Sequence, residues 1–75
     1  MQRIIDGYIY DTDTAELIYT DMRKVRMYYM TPNKRFFCFF SNNAIELVSE
    51  DSIKNLLGTY DIAKYIEIFG EPEEG

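Results

Sequence analysis

The sequence contains no histidine and no tryptophan, and it has only one cysteine and two prolines among its 75 residues. A single cysteine excludes an internal disulfide, and one cysteine without histidine leaves no ligand set for zinc. The sequence also lacks a glycine-rich phosphate loop and a G-x-S-x-G motif, so the common hydrolase and transferase sites are missing. We therefore expect a protein that is not an enzyme and that needs neither a metal nor a cofactor.

Long hydrophobic runs are missing as well. The N-terminus has no signal-peptide core, and no apolar run approaches the ~20 residues that a membrane span requires. Together with the single thiol, Cys38, this predicts a cytoplasmic protein that does not associate with membranes. Cys38 lies between phenylalanines, so we expect it to be buried and unreactive. The length predicts one small domain, 1–75, with no room for a second core.

The segment Arg23–Phe40 is the most distinctive part of the chain, because it holds six of the twelve aromatic residues and five of the eight basic residues. Two runs rich in aromatic residues flank a turn at 31–34, which predicts a β-hairpin over 24–40. Its first strand, Lys24–Met30, is amphipathic. The side chains predicted to face the core are Val25, Met27 and Tyr29.

The register of this hairpin depends on its turn. A two-residue turn at Pro32-Asn33 pairs Tyr29 with Phe36, whereas a three-residue turn with a bulge at Lys34 pairs Tyr29 with Phe37. A shift of one residue exchanges the two faces of the second strand, so the turn decides which phenylalanines face the core. The residues alone leave both registers open.

The flanking segments predict one further strand and three helices. Arg3–Tyr10 is predicted to form two short extended pieces around Asp6-Gly7, a favoured hairpin-turn pair. Asp13 with Glu16 resembles a capping box, which predicts a short helix over 13–19. Residues 44–48 are predicted to form a third strand. Two helices are then expected, one capped by Ser49 and ending at Gly58, the other capped by Thr59 and ending at Gly70. An acidic tail, 71–75, is expected to fray.

The expected fold class is therefore α+β. It consists of a three-stranded antiparallel meander, made of the hairpin 24–40 and the strand 44–48. A short N-terminal helix precedes the meander, and two C-terminal helices pack on one of its faces.

The outer face and turn of the hairpin are the candidate partner-binding site. The residues assigned to it are Arg26, Tyr28, Met30, Lys34 and Arg35. Arginine beside aromatic rings is typical of protein interfaces and also of platforms for single-stranded nucleic acid. A third interpretation is that the chain itself covers this face, with Arg26 reaching solvent along its aliphatic stem.

Three stretches of the chain resemble a family of small proteins encoded in phages, prophages and integrative elements of bacteria. They are the opening Ile5–Glu16, with a D-G-x-x-Y-D-T-x-T-A pattern, the centre Tyr29–Phe37, and the closing Phe69–Glu74. Relatives commonly carry glycine at the position of Lys34, so the resemblance favours the bulged turn. It also implies a bacterial host cell as the setting in which the protein acts.

Small acidic phage proteins often inhibit host defence complexes, and anti-CRISPR proteins are the leading example. The resemblance therefore implies an inhibitor that binds a host protein complex, such as a CRISPR effector, and covers a protein or nucleic-acid-binding surface. Two alternatives stay open. One is a nucleic-acid-binding accessory protein that uses the basic hairpin, and the other is a homodimeric structural module.

Overall fold

The computed structural model describes residues 1–23 and 25–75. The described residues form a two-stranded antiparallel ribbon, a four-stranded antiparallel sheet and two helices. The ribbon consists of β1 (Gln2–Ile5) and β2 (Tyr8–Asp11). The sheet has the order β3 (Glu16–Thr20), β4 (Arg26–Met30), β5 (Phe36–Phe40) and β6 (Ile45–Val48). The helices are α1 (Glu50–Tyr60) and α2 (Ile62–Phe69).

The predicted short helix over 13–19 is wrong, because this segment is a turn followed by strand β3. The Asp11 carboxylate accepts a hydrogen bond from the Asp13 N–H at 2.9 Å, which closes a turn where the capping box was expected. β3 then pairs with β4, and a bulge lies between Leu17 and Tyr19. The bulge lets the consecutive residues Ile18 and Tyr19 both pack towards the helices.

The predicted three-stranded meander with three helices is also wrong, because the sheet has four strands and the ribbon adds two more. The bulged hairpin turn is confirmed, since Tyr29 pairs with Phe37 and Lys34 adopts a left-handed φ of 59°. The predicted first residue of the hairpin, Lys24, lies outside the described residues.

Both faces of the four-stranded sheet are covered. On one face, the helices bury a cluster formed by Ile18, Phe36, Ile53 and Leu57. On the other face, the ribbon packs through Tyr10 onto Phe37 and Ile45. The sheet is therefore the middle layer of the molecule.

This layering corrects the predicted assignment of faces. Val25, predicted to lie in the core, is 41% exposed, whereas Tyr29 packs against the ribbon-side cluster. Tyr28 and Met30, predicted to lie on the outer face, pack against the helix-side cluster. Both side chains are half-buried, so the chain itself covers them in part, as the third interpretation expects.

The helix ends follow capping residues, but one predicted boundary is wrong. Ser49 caps α1 as predicted, since its hydroxyl accepts a hydrogen bond from the Ser52 N–H at 3.1 Å. The helix continues through Gly58, and Asp61 rather than Thr59 caps α2 by accepting a hydrogen bond from the Lys64 N–H. Gly70, with a φ of 85°, ends α2 as predicted.

Replacing Gly58 with alanine is expected to raise the free energy of unfolding by about 0.5–1 kcal/mol, because Gly58 lies inside α1. An added Cβ would meet Tyr65 Cδ2 at 3.9 Å, an ordinary van der Waals contact. Urea unfolding measures the change. Gly7→Ala is the matched control, expected to destabilise because Gly7 has a φ of 82°. A lower urea midpoint for Gly58→Ala would contradict this expectation.

Candidate protein-binding surfaces

The fold divides the five predicted site residues between two ends of β4. Arg26 and Tyr28 lie towards the start of β4, whereas Lys34 and Arg35 lie in the turn beyond its end. The five residues of β4 span about 13 Å. Met30 is half-buried near the turn, where Glu67 and Ile68 of α2 line the same depression. The predicted site is therefore two separate surfaces, with no continuous basic patch.

At the turn end, Arg35 connects the sheet to the ribbon. Its guanidinium carbon lies 3.5 Å from the centroid of the Tyr8 ring, a cation–π contact. The depression around this pair is lined by Asp11 as well as by Arg35, so a carboxylate accompanies the cation. Lys34 is exposed at the turn. The structure thus gives Arg35 a role in holding the ribbon on the sheet.

At the other end, the helices leave part of the sheet uncovered. A groove of about 540 Å³ lies between α1 and the ends of β4, β5 and β6. Its lining includes Arg26, Tyr28, Cys38, Phe40, Glu46 and Leu56. The Arg26 guanidinium carbon lies 5.5 Å from the centroid of the Phe40 ring, so the cation rests on an aromatic surface. We call this depression the Arg26 groove.

Cys38 forms part of the groove floor but is only 3% exposed, which confirms its predicted burial. Burial raises the pKa of the Cys38 thiol, while the nearby Arg26 charge opposes that effect. The thiol is therefore kept in its protonated form, which is a poor nucleophile. This arrangement favours a packing role for Cys38.

Three tyrosines continue the Arg26 groove towards the loop between β3 and β4. The Tyr19 ring centroid lies 6.2 Å from that of Tyr28 and 6.1 Å from that of Tyr60. Tyr60 is 68% exposed, and Met22 beside it is 99% exposed. We call Tyr19, Tyr28 and Tyr60 the tyrosine cluster. Sequence reasoning missed it because its members come from β3, β4 and α1, far apart in the chain.

The helices and the exposed tail that follows them, residues 49–75, carry the surplus acidic charge, and we call this part of the chain the acidic layer. This layer carries seven carboxylates and two lysines, whereas residues 1–48 carry six acidic and six basic side chains. The whole net charge of −5 is therefore located in the acidic layer. Tyr60 and Ile62, both more than half exposed, are the large apolar side chains at the junction of its helices.

Both lysines of the acidic layer are engaged by carboxylates. Lys64 Nζ lies 2.6 Å from Glu67 Oε2 and 3.2 Å from Glu16 Oε2, and these two neighbours raise the pKa of Lys64. Lys54 Nζ lies 3.9 Å from Glu50 Oε2. Partly exposed pairs of this kind add little stability. The two lysines neutralise only part of the acidic charge, and the layer presents its surplus carboxylates to solvent.

Comparisons with protein-family models, with curated proteins and with solved structures find no match for this chain. The resemblance to small phage and mobile-element proteins rests on the sequence motifs alone and stays a hypothesis. No helix within residues 1–23 and 25–75 is long and apolar enough to cross a membrane. The same part of the chain contains no cluster of three or more cysteine, aspartate and glutamate side chains able to hold a metal ion.

Proposed function

We propose that this chain is a non-enzymatic binding protein that inhibits a host protein complex by covering a basic surface on it. The observation that carries the proposal is the location of the whole net charge in the two helices and the tail that follows them. Because both lysines of that layer are paired with carboxylates, its remaining carboxylates are available to a partner.

An acidic layer of this kind favours a basic partner through long-range attraction, which speeds association and disfavours wrong partners. Charge alone gives little affinity, and interfaces usually need buried aromatic or aliphatic side chains as well. Tyr60 and Ile62 supply such side chains within the acidic layer. The combination suits a folded protein surface better than a small molecule.

Basic protein surfaces commonly bind nucleic acid, because they neutralise phosphates. An acidic protein that covers such a surface would inhibit the complex by competition. The resemblance to phage and mobile-element proteins makes a bacterial defence complex, such as a CRISPR effector, the sharpest form of this proposal. In this form of the proposal, the protein acts in the cytoplasm of the bacterial host.

Direct nucleic-acid binding is the less favoured function. A phosphate backbone is bound by successive cations along one groove. Here Arg26 shares its groove with Glu46, Arg35 shares its depression with Asp11, and the two arginines lie at opposite ends of β4. We therefore expect no binding of single-stranded DNA or RNA in fluorescence anisotropy at low salt.

The proposal is tested by expressing the protein beside CRISPR effectors of different types in bacteria that are challenged with a targeted plasmid. We expect plasmid survival with at least one type, and co-purification of the protein with a subunit of that effector. Plasmid survival that correlates with nucleic-acid binding, as measured by fluorescence anisotropy, would favour direct nucleic-acid binding as the function. Loss of every targeted plasmid, without co-purification of any effector subunit, would contradict the CRISPR form of the proposal.

A further inference from the structure

The molecule exposes more surface than a monomer of its size is expected to expose. Its accessible surface is 5411 Å² for a mass of 8.9 kDa, whereas monomeric proteins of that mass expose about 4,800 Å². Its radius of gyration is 12.5 Å, against about 11.4 Å for a typical domain of this length. The exposed tail, residues 71–75, adds to both values, and large apolar side chains such as those of Met22 and Tyr60 are exposed as well.

The Arg26 groove and the tyrosine cluster form the surface with interface-like composition. Aromatic residues, methionine and arginine are enriched at protein interfaces, and this surface combines Tyr19, Tyr60, Met22 and Arg26. A stable interface buries about 800 Å² on each partner.

The charges of the groove decide which partner fits it. Arg26 on β4 and Glu46 on β6 line the groove from opposite sides of β5. Within the described part of the chain, neither side chain forms an ion pair. In a two-fold interface, residue i of one copy meets residue j of the other, and j meets i. The Arg26 groove has one cation and one anion among its lining residues, so it is complementary to itself, although Asp21 adds a carboxylate beside the tyrosine cluster. The acidic layer, with surplus charge of one sign, repels its own copy.

We propose that a second copy of this chain covers the Arg26 groove in a two-fold dimer. Arg26 of each copy pairs with Glu46 of the other, around an apolar centre that includes Phe40 and Leu56. The groove includes residues of α1, but no carboxylate of the acidic layer lines it, so the dimer does not rest on the function proposed above. Its test is independent of any host partner.

Sedimentation velocity across the micromolar range tests this dimer. We expect a concentration-dependent dimer, and dissociation constants at least about tenfold higher for Arg26→Glu and for Glu46→Arg, because each change places like charges opposite one another. The double variant Arg26→Glu/Glu46→Arg restores both pairs and is expected to recover most of the affinity. Circular dichroism checks that every variant is folded.

The matched control reverses charges outside the groove. Lys34→Glu and Glu73→Arg change the net charge by the same amounts at exposed positions, and we expect them to leave the dimer unchanged. A monomer at every concentration would overturn the proposal and leave the groove free for a foreign protein. A dimer that is insensitive to the groove reversals, or that the double variant does not restore, would overturn the proposed pairing.

Discussion

Replacing Phe37 with alanine is expected to lower the free energy of unfolding by about 3–5 kcal/mol. Phe37 is fully buried in the middle of the sheet. Its ring stacks on Tyr29, with centroids 5.2 Å apart, and meets the edge of Tyr10 at 5.7 Å. The substitution therefore removes the side chain that joins the ribbon to the sheet, and it leaves a cavity between two layers.

A domain of this length is expected to have only about 4–11 kcal/mol of stability, so Phe37→Ala should be largely unfolded by mild urea. Urea denaturation followed by circular dichroism measures the loss. Leu47→Ala is the matched control, because Leu47 pairs with Phe37 across the strands but is 43% exposed. We expect the control to cost less than about 1 kcal/mol. A loss of less than about 1 kcal/mol for Phe37→Ala would contradict the claim that Phe37 is a buried core residue between the ribbon and the sheet.

Leu57→Ala is expected to cost about 2–5 kcal/mol, through loss of contact between α1 and the helix-side face of the sheet. Leu57 is fully buried and clusters with Ile53 and Phe36. Because α1 carries Glu50 and Asp51 and packs against α2, the substitution should also loosen the proposed binding surface. Thermal unfolding and amide hydrogen exchange of the helices measure both effects.

The control for Leu57→Ala is Ile62→Ala, which removes a similar aliphatic side chain that is 61% exposed. We expect Ile62→Ala to change stability by no more than about 0.5 kcal/mol. Equal losses for the two variants would mean that α1 is not anchored through Leu57.

The parts of the fold that depend on neighbouring residues could be predicted from the sequence. The Ser49 cap and the Gly70 end each involve interactions within a few residues, so local sequence patterns determine them. The Lys34 bulge was favoured only by the resemblance, because the residues alone fit both registers. Strand β3 could not be predicted in this way. Its local pattern, Asp13 followed by Glu16, favours a helix cap, but pairing with β4 further along the chain overrides that preference.

The division of the sheet into faces was misjudged for a related reason. An alternating strand suggests one core face, yet β4 lies in a sheet that is covered by helices on one side and by the ribbon on the other. The fully apolar β5 indicated this, because a strand that is apolar on both faces is typical of a middle layer. The predicted site was also misjudged, since Arg26, Lys34 and Arg35 were assigned to one surface. The length of β4 separates Arg26 from the other two residues instead.

The claim that the acidic layer binds the partner is tested most directly by comparing two variants of equal net charge. Each variant serves as the bait for co-purification from bacteria that carry the candidate complexes. Asp51→Asn/Glu71→Gln neutralises two carboxylates in the layer. Asp6→Asn/Asp13→Asn neutralises two exposed carboxylates in the N-terminal turns. We predict that the acidic-layer variant loses the partner captured by the natural sequence, with association about tenfold slower, while the turn variant keeps it. Equal capture by both variants, or equal loss, would contradict the account.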